Sequence, residues 1–212
     1  MILKPVLIEP MYLPPVAVFA LWYRYGSLVW EQHAHYVKGS YRNRCHLAGP
    51  NGLLRLSIPL HKGKNQHTPM RKVRISYDHP WQKEHWQSLC SAYRRSPYFE
   101  YFEPELKPFY EKTWETLLEF NLALLQWITA ALQWDYALAL SETFESRPPD
   151  MDDYRDRITP RHQPGEIIPG YRSPRYRQVF EDRTGFLPGL SIADLLFNEG
   201  PGAASLIRQS IR

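Results

Sequence analysis

The sequence predicts an α/β protein: an N-terminal βαβ unit, a mixed sheet that includes a β-hairpin, and a helical C-terminal half. Three observations carry that class. The run ILKPVLIE at residues 2–9, an amphipathic stretch from Pro14-Pro15 to Gly26, and the apolar run Leu28–Glu31 read as strand, helix and strand. Parallel strands need a crossover between them, so this order is the unit of a parallel sheet. Residues 36–60 alternate apolar and polar around Asn51-Gly52, as a hairpin does. From Pro80 onward apolar residues recur instead at steps of three and four, the helical period.

The first strand runs into a stiff turn, Pro10–Pro15. Proline is at home in the first turn of a helix, whose inner face is marked by Val16, Phe19, Ala20 and Tyr23 and whose end is Gly26. In parallel sheets ligands lie outside the carboxyl ends of the strands and near the helix N-terminus. Tyr12 belongs there, with Glu31, His33 and His35 just after the second strand. These are candidates for a base, an acid or metal ligands. A His-x-His pair with no third ligand in view does not make a metal site, and none is expected.

With Asn51-Gly52 as a type I′ tip, Leu47 faces Leu56 and Cys45 faces Ile58, with Asn43 further along, while Arg44, His46 and Ala48 face Pro59, Ser57 and Arg55. An arm that starts near Lys38 carries Lys38, Ser40, Arg42, Arg44 and His46 in succession on its polar face. Such a face suits a carboxylate or phosphate, or is a solvated sheet surface. The loop His61–Pro69 reads as a flap over it, with Lys62, Lys64 and His67 as solvated loop residues, and Met70–Tyr77 as a half-buried strand.

Pro80 opens a helix that ends at Ser96-Pro97 and places His85 on an aromatic stripe with Trp81. His85 is there either a hydrogen-bonded core residue or an acid–base group. Pro104 opens the longest helix, to about Gln133, in whose apolar seam Asn121 must bond backbone across a contact or reach a ligand. Tyr136–Leu140 reads as a further parallel strand, with Ser141-Glu142 at its carboxyl end. Residues 145–170, rich in Pro, Arg and Asp, form an excursion within one domain of residues 1–212, ordering over a substrate or serving as plain linker. Ser191 caps a helix at Ile192–Phe197 with Asp194 as its capping-box partner, and a last helix spans Gly202–Arg212.

Net charge is +4 and pI near 9.0, without the dense runs of a nucleic-acid binder; the expected partner is a small anionic or nucleotide-linked substrate. Two cysteines, Cys45 and Cys90, make no disulfide framework and read as buried thiols of a reducing compartment. No apolar run has the length of a membrane span, and Pro5, Glu9 and Pro10 interrupt any signal-peptide pattern, so a cytoplasmic protein is expected.

Several blocks, Tyr12-Leu13-Pro14, Lys38-Gly39-Ser40-Tyr41-Arg42-Asn43-Arg44-Cys45, Asn51-Gly52, Leu56-Ser57-Ile58-Pro59 and the stretch from Gly185 to Asn198, resemble the WbqC-like family over nearly the whole chain. The family is bacterial, many members lie with genes for O-antigen and other surface polysaccharides, and some are labelled glycine transferases acting on amino sugars. Many relatives have Gln-Pro-x-Tyr-Leu-Pro-Trp where this chain has Glu9–Pro15, and an aspartate and glutamine before the Lys38 position where it offers Glu31, Gln32 and His35. The resemblance implies an N-acyl or aminoacyl transferase working on a nucleotide-linked amino sugar. Glu31, His33 or His85 would take the amine proton, Tyr12, Lys38, Arg42, Asn43 and Arg44 would bind the substrate, and Asn43 or the helix N-terminus would face the oxyanion. A nucleotidyl-transfer enzyme and a non-catalytic binding or assembly protein are the alternatives. The first lacks a Gly-rich phosphate loop, and the second is consistent with the many Trp and Tyr. No cofactor can be named.

Overall fold

The computed structural model describes residues 4–61, 67–162 and 164–211. Lys62 and Lys64 of the expected flap lie outside them. Strands β1 (Val6–Ile8), β2 (Ser27–Trp30), β5 (Ala137–Leu140) and β6 (Asp152–Asp153) form a four-stranded sheet in the order β5-β2-β1-β6, every pair parallel. Helix α1 (Val16–Tyr25) is the crossover between β1 and β2. The hairpin β3 (Arg44–Gly49) and β4 (Gly52–Ser57) pairs antiparallel as a ribbon of its own. The remaining elements are helical: α2 (Trp81–Tyr93), α3 (Phe99–Leu106), α4 (Leu117–Ala131), α5 (Pro164–Ile167), α6 (Glu181–Thr184), α7 (Ile192–Glu199) and α8 (Ala203–Gln209). The α/β class, the βαβ unit and the helical C-terminal half are as expected.

The core is continuous from sheet to helices. Val6, Ile8, Leu28 and Trp30 are buried, and α1 packs against α7 and α8. The sequence blocks that recur in the resemblance meet here through backbone. Tyr12 N donates to Tyr41 O, Ser191 N to His46 O, Ile192 N to Pro14 O and Val16 N to Leu190 O. Ser191 Oγ donates to Leu13 O, holding Leu13 at φ +42, a conformation a bulky residue adopts only when its surroundings impose it. The N-terminus of α1 is therefore packed against Leu190–Ser191, where it was expected to face a ligand.

Several local expectations change. The hairpin tip is Pro50-Asn51, pairing Leu47 with Leu54, Cys45 with Leu56 and Arg44 with Ser57. A type I′ turn needs φ > 0 at both central residues, but Pro50 is locked at negative φ and Asn51 keeps a negative φ; the positive φ falls on Gly52. The slip is two residues, so each side chain keeps its face. The arm begins only at Arg44, after a turn through Gly39 (φ +75), so the row Lys38–Arg42 does not continue the strand's polar face. Met70–Tyr77 is a 3-10 turn, Met70–Lys72, then extended chain held by single bridges, Leu60 to Ile75 and Arg74 to Thr116. The long helix from Pro104 is broken: Pro104 lies inside α3, a 3-10 turn follows, and α4 restarts at a Thr116/Glu119 capping box. Asn121 uses its amide on backbone, Nδ2 donating to Arg42 O at 2.8 Å. Ser191 caps α7 through Ala193 N, but Asp194 does not close a box. Its buried carboxylate accepts Tyr93 OH (2.7 Å) and Tyr176 OH (2.9 Å).

Gly200 ends α7 at φ +49, and a Cβ there would stand 2.5 Å from the ring of Tyr98, whose N–H bonds Phe197 O. Gly200→Ala therefore meets both a forbidden backbone region and a fixed ring. It is expected to cost about 2–3 kcal/mol in urea unfolding. An unchanged midpoint would show that the α7–Tyr98 contact yields freely.

Candidate functional site

Ile8, Trp30 and Leu140 are in register at the carboxyl ends of β1, β2 and β5, so the next residues, Glu9, Glu31 and Ser141, stand side by side. On the other flank β6 runs into Arg155 and Asp156, and these two consecutive residues reach the two carboxylates. Glu31 accepts from His33 N (2.7 Å), Ala34 N (3.2 Å), Ser141 Oγ (2.9 Å) and Arg155 Nη1 (3.1 Å). Arg155 also bonds the Asp153 carboxylate and the carbonyls of Glu145 and Ser146. Glu9 accepts Asp156 N at 3.1 Å and lies 3.6 Å from Arg42 Nη1; Arg42 Nη2 donates to Asp156 Oδ1 at 2.9 Å. Glu9, Glu31 and Arg42 are each about 1% exposed. Burial pushes the Glu9 carboxyl above its ordinary range, against the pull of Arg42. Such pairs survive burial only when each charge keeps its partner.

The predicted site residues thus separate into three places. Glu31 and His33 sit together at the strand ends, and Arg42 joins the same edge through Glu9 and Asp156. His33 Nε2 lies 3.1 Å from Ser141 O. A carbonyl only accepts, so in the neutral ring Nε2 carries the proton and Nδ1 is the basic nitrogen. Tyr12 and His85 lie in an aromatic core: Tyr12 OH is 3.1 Å from His85 Nδ1 and 2.8 Å from Tyr110 OH, and the Tyr12 ring stacks on His85 and Phe120. Burial pushes the His85 imidazole down to about 4, opposed by a hydrogen bond to the Ser57 main chain. His85 is a core histidine, 5% exposed, whose Nδ1 is engaged by the Tyr12 hydroxyl. The third place is the hairpin and its approach. Asn43 is spent internally, accepting Tyr36 OH and donating to Ile58 O. Arg44 reaches Ser57 Oγ at 3.3 Å, and Lys38 stands exposed on the preceding turn. His35 is exposed, its ring edge-on to His67.

Sequence reasoning missed Glu9, Arg155 and Asp156. A carboxylate directly after the buried run Val6–Ile8 was the available signal for Glu9. Nothing local marks Arg155 and Asp156 within a Pro- and Asp-rich excursion. A cleft of about 290 Å³ opens beside the cluster, floored by Leu7, Val29 and Ala139 and edged by Glu31, Ser141 and Met151. A larger groove of about 660 Å³, walled by Tyr101, Phe102 and Arg208, shares none of these residues. Among the described residues no group of His, Cys, Asp and Glu has the arrangement of a metal site, and no helix is long and apolar enough to cross a membrane.

A parallel sheet whose strand ends gather paired carboxylates and arginines defines an α/β protein with a charged carboxyl edge. The chain belongs to the WbqC-like protein family, whose model matches residues 9–158 and so spans that whole edge, from Glu9 to Asp156. It is 26% identical over 231 residues to the uncharacterized protein Rv1507c of Mycobacterium tuberculosis (strain ATCC 25618 / H37Rv), an alignment covering 97% of each. No solved structure matches it.

Proposed function

We propose that the protein is a transferase that moves an acyl or aminoacyl group from an activated donor to the amine of a nucleotide-linked amino sugar, in bacterial surface-polysaccharide synthesis. The supporting observation is the buried strand-end cluster, in the position where parallel sheets bind small molecules. Arg42 holds the substrate's phosphate, with Lys38 and Arg44, the outward-facing cations of the same segment, drawing it in. Of the three candidate bases, His85 is enclosed among aromatic rings, and Glu31 already accepts four hydrogen bonds. His33 keeps a basic nitrogen; Ser141 O holds its ring, and Glu31 holds its backbone N–H. The amine nitrogen attacks the donor carbonyl, the N–C bond forms, His33 Nδ1 takes the amine proton, and the donor group leaves with its bonding electrons.

The test follows acylated nucleotide sugar by mass spectrometry. His33→Gln is expected to lower kcat by about 10²-fold, the lower end of general-base catalysis, with little change in KM. The fully bonded state of Glu31 favours a second reading, a binding protein. Melting-temperature shifts with nucleotide sugars but no product under any donor would establish that reading and end the first.

A further inference from the structure

We propose that Arg42 is the anion receptor of this edge and that the Asp156 carboxylate occupies it in the free protein, so that a phosphate or carboxylate ligand binds by displacing Asp156. This rests on the anion-binding part of the function proposed above.

The buried Arg42 guanidinium makes one side-chain hydrogen bond, Nη2 to Asp156 Oδ1; its Nε and Nη1, and Glu9 Oε1, make none among the described residues. Buried polar groups are nearly always paired, so a guanidinium whose Nε makes no bond, and whose Nη1 meets only the Glu9 carboxylate at 3.6 Å, calls for a reason. A guanidinium offers two forks, Nε with one terminal nitrogen and the two terminal nitrogens together, and each binds a carboxylate or phosphate through two parallel bonds. Asp156 meets it through one oxygen on Nη2 and completes neither fork. An incoming oxyanion that takes Nη2 together with Nε or Nη1 makes a bond that Asp156 does not.

Asp156 is also built to leave. Its side chain is 56% exposed, so the displaced carboxylate moves into water. It sits at φ +59, a left-handed position, while its N–H is anchored on Glu9 Oε2. The backbone stays attached as the side chain turns away. Arg155, one residue earlier, keeps the strap on Glu31 during the exchange.

Inorganic phosphate, titrated by calorimetry into the full chain, tests the exchange. Asp156→Asn removes the competing charge and tolerates the left-handed backbone, and should bind phosphate about tenfold more tightly than wild type. Asp156→Gly, at ease at φ +59, should do the same. Arg42→Lys keeps the charge without the forks and should bind about tenfold more weakly. Phosphate binding lost in Arg42→Lys but unchanged in both Asp156 variants would leave Arg42 as the anion site and overturn the displacement. No phosphate binding by any chain would overturn both the displacement and the anion-binding reading beneath it.

Discussion

Arg42→Met is expected to lower the unfolding free energy by about 3–5 kcal/mol at neutral pH, the cost of leaving one member of a buried ion pair alone. Arg42 and Glu9 are both essentially inaccessible, and Asp156 is the only partly solvated member of their cluster. Without Arg42, Glu9 must stay ionised in an apolar setting or bind a proton, and each choice draws on folding free energy. Part of the loss is offset because methionine leaves no N–H unpaired where Nε and Nη1 lie. The decisive comparison is the double variant Glu9→Met with Arg42→Met, which removes both charges at similar volume. It should recover at least about 2 kcal/mol of the single variant's loss. Urea unfolding of the four chains supplies the cycle. Simple additivity of the two substitutions would mean that Arg42 is held by Asp156 alone and that Glu9 is an independent buried acid.

The same cluster shows where sequence reading stops. Strand and helix existence came through wherever a pattern was local: Val6–Ile8, Val16–Tyr25 and Ala137–Leu140 are carried by apolar runs, a Pro-Pro start and a Gly end. Alternation was legible in β4, but β3 is buried on both faces from Cys45 to Gly49, His46 of the expected polar row included, and the register depended on whether Pro50 or Asn51 opens the turn. Thr116-x-x-Glu119 is a plain helix start that the longer apolar periodicity obscured. Arg42 marks the deeper limit. Alternation from Lys38 puts it on a polar surface, but Gly39 turns the chain, and Arg42 enters the interior to meet Asp156, 114 residues away. Arg155 meets Glu31 across 124 residues. Such pairings are fixed by sheet order, and β6 joins β1 through two residues of a segment with every compositional mark of a loop. The position of Glu31 and His33 at the carboxyl end of β2 was legible because that rule needs only the strand in hand.

Acid should reveal three buried groups, two histidines and one aspartate, that pull stability in opposite directions. His85 titrates near 4 in the folded chain against 6.5 when free, because burial disfavours its charged form. The unfolded chain therefore binds the proton first, and stability is lost as pH falls from 6.5 to 4, by about 3 kcal/mol at 1.36 kcal/mol per unit. His46, lowered to about 4 chiefly by burial and further by Arg55 and Arg44, acts in the same sense. Asp194 opposes them. Burial raises it to about 6 despite the Tyr93 and Tyr176 hydroxyls, so the folded chain takes up its proton first and gains about 3 kcal/mol as pH falls from 6 to 3.8. Asp194→Asn keeps an acceptor for the tyrosines but removes the titration, so its loss of stability between pH 6.5 and 4 should be steeper than wild type by about that amount. His85→Gln, which can still bond Tyr12, should be shallower by a similar amount. Urea midpoints at four pH values separate the slopes. Parallel wild-type and Asp194→Asn curves would show that water reaches the Tyr93–Asp194–Tyr176 network and that its carboxylate titrates as a solvated one.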